Sequence, residues 1–458
     1  MPTAHRTAFP RPRARRRRRR QPGATWPLAL AGALATASLA ALALRPAAGL
    51  IEPDPVDVLE YFSRDDIARA RRFGRPQLAL HGAATLVQAG VLAALVARPS
   101  RRGAASEHPL AHAALAGAGL SLAVGLAPLP LRALARVRAL KVGLATQSWR
   151  GWAGDLAKGS ALEAGFAAAA APVGIALMRR WPRLWWLPGA GVLVAGTAGM
   201  TLLAPVLVDP LFNSYTPLPD GPVRDDVLAL AARAGVRVGE VYEVDASRRT
   251  SAANAYVTGL GPTKRVVLFD TLLREFTPAE TRLVVAHELA HVRHRDVPRS
   301  LAALALSAPG AMYAAATLTR RLSGGAAAAR PGAPVHATAP RAGAPHGSAR
   351  LQDPPLAGPA TLPALALSLG LVAAAIGSVW SALSRRVEAR ADAFSLALTD
   401  EPQPFVGFER RIVRQNLADP DPPRWLVRLL ASHPPAVQRI GIARAYARGV
   451  RPGGPGGR

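Results

Sequence analysis

Between Val284 and Asp296 the chain reads VVAHELAHVRHRD, which sets His287 and His291 four residues apart with Glu288 between them. On an α-helix, positions i and i+4 lie on one face a turn apart. Both imidazoles can therefore meet one small ion while Glu288 projects beside it. Neutral imidazole suits Zn²⁺, and a catalytic zinc takes three protein ligands and keeps a fourth position for water. The stretch predicts two metal ligands, His287 and His291, and a general base, Glu288. It requires a third ligand from elsewhere in the chain.

The flanking residues bear on whether this spacing is accidental, since a solvated helix can carry two histidines without purpose. Thr277 is placed as an N-cap, Pro278 as the first helical residue, and Glu280 completes a capping box. Leu283, Val284, Ala286, Leu289, Ala290 and Val292 then surround the three polar residues with apolar ones. Burying two histidines and a glutamate without partners costs several kcal/mol, so an apolar helix of this kind implies a ligand.

The remaining sequence must position that helix. Of 458 residues, 50% are hydrophobic, and there is no cysteine, which excludes disulfides and thiolate ligands. Apolar windows of bilayer-spanning length fall at 26–44, 77–97, 109–131, 159–178, 184–208, 299–320 and 361–383. About seven spans make this a polytopic α-helical membrane protein, mainly α in class. Trp181, Trp185 and Trp186 beside Arg179, Arg180 and Arg183 read as an interfacial anchor. Leu131 to Lys158 is basic and amphipathic and reads as a surface segment. Glu163, inside the fourth span, faces a cavity or partner, or sits near the headgroups.

Arginine carries nearly all of the +28 net charge. Residues 1–24 include the run Arg15 to Arg20 and no acidic residue, and read as a disordered topogenic tail on anionic lipid. A nucleic-acid arm would rest on this run alone, and no nucleic-acid partner is expected. The predicted organisation is a membrane domain with five spans over 25–208, a first catalytic half over 209–298, two spans over 299–383 and a second catalytic half over 384–458. Within the first half, 223–234 reads as a helix and 241–244 and 265–269 as strands, while Pro298 ends or kinks the HELAH helix. Residues 322–360 are rich in Ala, Pro and Gly, cannot bury a core, and are expected to be disordered; His336 and His346 within them have no role.

The third ligand is sought in SRRVEARADAFSLALT, from Ser384 to Thr399, where Glu388 and Asp392 share a helix face. A carboxylate at Glu388 would complete a His₂Glu site, and Asp392 one turn on could accept a ligand's free ring N–H. The same spacing also describes a solvated charged helix with Arg385, Arg386 and Arg390 as partners. Spacing alone does not choose.

Five ordered motifs do. Asn254-Ala255-Tyr256 with Gly259, KRVVLFDTLL at 264–273, HELAH at 287–291, SRRVEARAD at 384–392 and SHPPAVQRI at 432–440 together resemble the CAAX prenyl protease family. These are integral-membrane zinc endopeptidases first known for cleaving after an isoprenylated cysteine. DPLFNSYTPLPDG at 209–221 is similar to the family's entry into its catalytic domain, and the resemblance extends from about residue 55 to 445. It implies a membrane-associated, gluzincin-type HExxH domain holding one Zn²⁺ per chain through His287, His291 and Glu388, with Glu288 as base and Asp392 behind the ligands. Asn254 resembles the position that holds substrate backbone beside an edge strand. His433 and Arg439 resemble residues that bind the oxyanion or brace the site; read without the family, Pro434 and Pro435 make a turn and Arg439 pairs with a carboxylate.

The implied partners are the lipid bilayer and a peptide or protein substrate, lipidated or misfolded. A bacterial source, suggested by the Arg-, Ala- and Pro-rich composition, would place the protein in the cell membrane and favour quality control over prenyl processing. A membrane scaffold with a decayed site is the non-enzymatic alternative. The Arg run by itself puts the N-terminus in the cytoplasm and, over seven spans, the catalytic halves outside. The eukaryotic relatives face the other way, and a cytoplasmic site is the reading adopted.

Overall fold

The computed structural model describes residues 25–98, 108–259, 264–328 and 358–453. The Arg-rich tail 1–24, His336, His346 and most of the expected disordered segment lie outside the described residues. Within them the chain forms α1 (Thr25–Leu44), α2 (Val58–Tyr61), α3 (Arg64–Ala97), α4 (Pro109–Leu126), α5 (Leu129–Lys141), α6 (Trp149–Arg180) and α7 (Trp186–Leu207). There follow β1 (Tyr215–Pro217), α8 (Pro222–Arg233), β2 (Glu240–Val244), β3 (Ala255–Thr258), β4 (Arg265–Phe269), α9 (Asp270–Glu275) and α10 (Pro278–Arg293). Last come α11 (Asp296–Ala328), α12 (Leu362–Thr399), α13 (Pro402–Gln415), α14 (Arg424–Leu430) and α15 (Ala436–Ala447).

Seven helices, α1, α3, α4, α6, α7, α11 and α12, are long and apolar enough to cross a bilayer. Large apolar side chains on them remain exposed, Leu28, Leu86, Leu115 and Val206 among them. In water such surfaces would collapse together; in lipid they are solvated. Packing between spans relies on small residues. A Cβ added to Gly310 of α11 would collide with Thr36 of α1, and one added to Gly117 of α4 with the backbone of Ala167 in α6.

Four details differ from the sequence reading. The expected surface segment 131–158 is split: α5 takes its first part, and Trp149 to Lys158 form the front of the 32-residue α6. The α5–α6 corner is closed by Arg136 lying over the rings of Trp149 and Trp152 at 5.1 and 5.4 Å. Trp185 is 2% exposed rather than interfacial. The HELAH helix ends at Arg293, and Arg295 has φ 57, so the break precedes Pro298. Pro298 instead occupies the first turn of α11, where its missing N–H costs nothing. Residues 322–328 continue α11 as helix.

The sheet runs β1-β2-β4-β3, with β2 and β4 parallel and both outer pairs antiparallel. Val241, Val266 and Leu268 are fully buried and form one core with Val285, Ala286 and Leu289 of α10. The sheet thus fixes one face of α10, and its other face is left for chemistry. At its start Thr277 accepts from the Glu280 N–H at 3.2 Å while Glu280 accepts from the Thr277 N–H at 2.8 Å. Arg282 ties α10 to Asp226 at 3.1 Å and to Glu401 at 2.8 Å.

Helix α12 has 38 residues, about 57 Å at 1.5 Å per residue. An apolar bilayer core of about 30 Å uses only half of that. The rest stands clear of the span and packs Ala393 and Leu396 against Leu283 of α10 and Ile442 of α15. One rigid rod therefore both crosses the membrane and delivers Glu388 and Asp392 to the face of α10.

Candidate metal centre

His287 Nε2 lies 3.1 Å from Glu388 Oε2, and His291 Nε2 lies 3.3 Å from His287 Nε2 and 3.8 Å from Glu388 Oε1. Ligands at about 2.0–2.1 Å around a tetrahedral ion stand about 3.3–3.4 Å apart, so these three groups fit one zinc-sized ion. The opposite ring nitrogens are already used. His287 Nδ1 is 2.9 Å from Asp392 Oδ1, and His291 Nδ1 is 3.0 Å from Asp296 Oδ2. With each Nδ1–H given to a carboxylate, Nε2 is the nitrogen turned toward the centre, and loss of any proton there frees the lone pair a metal needs.

Burial alone would push His287 down; the Asp392 and Glu388 carboxylates outweigh it and hold the ring up at about 10. The cage that favours a proton there favours a divalent cation for the same electrostatic reason. Glu288 forms a cluster with both histidines, their ligand atoms all within 4.8 Å of one another. Burial raises Glu288 above the ordinary carboxylate range, with His287 and His291 pulling the other way. Between Glu288 and Glu388, Glu388 is the one whose oxygens face both Nε2 atoms. Glu288 stands beside them.

Behind the rings the charges alternate. Asp392, fully buried, accepts from Arg439 Nε at 2.8 Å and Nη2 at 2.6 Å, and Arg439 Nη1 pairs with buried Glu409 at 2.6 Å. Asp296, 7% exposed, pairs with buried Arg390. Asp296 and Glu409 were not among the site residues expected from the sequence, and Arg390 was expected only as a solvated partner. Asp296 could have been found by asking which carboxylate serves the second histidine, since it lies five residues past His291. Glu409, between Phe408 and Arg410, gives no such sign. The three arginines beside Glu388 are not solvated partners: Arg390 is buried, Arg385 donates to Val427 and Ala431 carbonyls at 2.8 and 2.7 Å, and Arg386 reaches the Pro46 carbonyl at 3.5 Å.

His433, on the turn before α15, directs Nε2 to Glu388 Oε2 at 3.2 Å, with its side chain 61% exposed. It stands at the open side of the centre. Asn254 immediately precedes β3, its carbonyl accepting from the Phe269 N–H at 3.0 Å and its side chain exposed. No hydrogen bond joins Asn254 to the metal-facing groups among the described residues. A cleft of about 570 Å³ runs from His291 and Glu388 between α7, α11 and α12, past Leu301, Leu304, Trp380 and Leu383. Glu163 and Gln88 line a second, mostly apolar cavity of about 440 Å³ among α3, α4, α6 and α12.

Residues 217–447 match the model of Peptidase family M48, and residues 60–214 match the CAAX prenyl protease N-terminal model with its five membrane helices. The chain belongs to peptidase family M48. This M48 metalloprotease is 29% identical over 321 residues to the uncharacterized metalloprotease YhfN of Bacillus subtilis, covering 70% of each chain. It is 40% identical over 109 residues to CAAX prenyl protease 1 of Saccharomyces cerevisiae, a match covering 24% of each. The crystal structure of S. mikatae Ste24p superposes over 91% of this chain and 99% of its own, with a TM-score of 0.69 at 21% identity, which establishes the shared fold. The M48 peptidase is therefore a multi-pass membrane metalloendopeptidase.

Proposed function

We propose that this metalloendopeptidase is zinc-dependent and hydrolyses peptide bonds of extended substrates at the membrane boundary. The observation that carries the reading is the convergence of His287 Nε2, His291 Nε2 and Glu388 at 3.1 to 3.8 Å, each ring backed by its own carboxylate. His287, His291 and Glu388 hold the ion. When bound, zinc supplies Lewis acidity, making a water acidic near neutral pH and polarising the scissile carbonyl. Glu288 takes the proton of the attacking water and hands it to the leaving amine; its raised pKa suits a base that must also act as an acid. His433, at the open side, donates to the carbonyl oxygen as negative charge develops. Arg439 and Asp392 hold His287 in place.

Among the described residues strand β3 pairs only with β4, and its other edge accepts a substrate backbone by strand addition, with Asn254 at its start. That mode reads little sequence. The apolar cleft beside His291 then takes a large apolar side chain or a lipid. A bacterial cell-membrane protease of misfolded or membrane proteins uses both features, and so does a prenyl protease.

The test is cleavage of a farnesylated CAAX peptide and of casein by the purified protein and Glu288→Gln, with and without a zinc chelator. Glu288→Gln is expected to retain zinc by elemental analysis and lose roughly 10²- to 10⁴-fold in rate. Undiminished activity in the zinc-loaded variant would overturn the mechanism. Preference for casein supports quality control, and preference for the farnesylated peptide supports prenyl processing.

A further inference from the structure

Where α1 ends and α11 begins, the chain closes a pocket of about 490 Å³ lined by Arg45, His294, Arg299 and Arg390 and by the backbone turn from Pro46 to Gly49. No carboxylate lines it. Gly49, at φ 77, lets the turn lie over the stem of Arg390, where an added Cβ would come to 3.5 Å of Arg390 Cγ. Arg390 is 5% exposed, and its Nε has no hydrogen-bond partner. Its one carboxylate, Asp296, is shared with His291. Arg45 and Arg299 are exposed, and no ion pair among the described residues neutralises either. His294 donates its Nδ1–H to the Ala290 carbonyl at 2.9 Å.

Three guanidinium groups gathered without a lining counter-charge repel one another, and a buried unpartnered N–H has a desolvation cost. Both are relieved by one anion with several acceptor oxygens, and arginine matches phosphate best. We propose that this pocket binds the phosphate of an anionic lipid headgroup. A lipid rather than a free anion is indicated by position: the pocket lies at the site-side ends of two spans, with Leu42 and Val297 exposed beside it at 55% and 51%. The bound phosphate meets Arg390, which holds Asp296 against His291, so the lipid buttresses one arm of the metal centre.

The experiment uses full-length protein in nanodiscs of phosphatidylcholine with or without phosphatidylglycerol, with retained lipid counted by native mass spectrometry after extraction. Arg45→Gln/Arg299→Gln is the probe, because both side chains are exposed and neither touches the metal-facing residues. Arg237→Gln/Arg293→Gln, in a separate basic pocket, is the control. The probe variant is expected to lose phosphatidylglycerol retention at least about tenfold, with zinc content unchanged and the control variant like wild type. Equal retention in the probe variant, or equal loss in both variants, would show a diffuse charge effect and overturn the site. Displacement of the lipid by millimolar inorganic phosphate would overturn the lipid as occupant.

Discussion

His287 leans on Asp392, Asp392 on Arg439 of α15, and Arg439 on Glu409 of α13, with both carboxylates fully buried. His291 leans on Asp296, and Asp296 on Arg390, which lines a pocket open at the ends of α1 and α11. Both arms alternate acid and base outward from an imidazole. They differ in where the last charge rests. In the first arm it rests inside the catalytic core, so each member depends on the others for solvation. In the second it rests on Arg390, 5% exposed beside the pocket at the ends of α1 and α11, with Asp296 as its one carboxylate. The two histidines thus have equivalent chemistry and unequal structural cost.

Removing the ring itself should erase the difference. His287→Ala and His291→Ala are each expected to lose stoichiometric zinc by elemental analysis and all peptidase activity, because two remaining ligands do not hold the ion. Retained metal in either would remove that residue from the ligand set.

Removing the carboxylate behind the ring should expose the difference. Asp392→Asn and Asp296→Asn are each expected to weaken zinc affinity about 10- to 100-fold. Asp296→Asn also takes from Arg390, 5% exposed, its one carboxylate, and breaking a buried pair costs about 3–5 kcal/mol, whereas Arg439 keeps Glu409 when Asp392 is lost. The thermal midpoint of Asp296→Asn in detergent should therefore fall well below that of Asp392→Asn. Equal midpoints would mean that the arms are not distinguished by their surroundings.

The smallest effect is at the end of the buried arm. Burial, opposed by Arg439 and aided by Asp392, pushes Glu409 up from 4.5 to about 7. A carboxyl with a raised folded-state value binds more protons folded than unfolded, so its contribution is present below about 4.5 and is lost as pH rises through about 7. Glu409→Gln should flatten the decline of the thermal midpoint across that window. An unchanged slope would place the titration elsewhere.

Much of this architecture was legible before the structure. Seven apolar windows announced seven long helices because a bilayer demands length and hydrophobicity, and both are local properties. The capping box at Thr277 and Glu280 is local too. What local pattern could not supply was the break at Arg295 rather than Pro298, since proline is harmless in a first helical turn. Nor could it reveal that Arg390 is buried: an arginine between alanines on a helix reads as solvent-facing until its neighbours are known.

The sequence by itself determined the chemical types of the centre. Two histidines at i and i+4 can face one ion on any α-helix, with a glutamate at i+1 beside them, because 3.6 residues per turn is a backbone property. The motifs named Glu388 and Asp392; tertiary structure alone decided that Asp296 and Glu409 join them. Glu388 and Asp392 arrive about a hundred residues later on the end of a span helix, Arg439 and Glu409 from two further helices, and Asp296 from the first turn past a sharp break. Electrostatic pairing depends on distance in space and on exclusion of water. Neither is written in sequence separation.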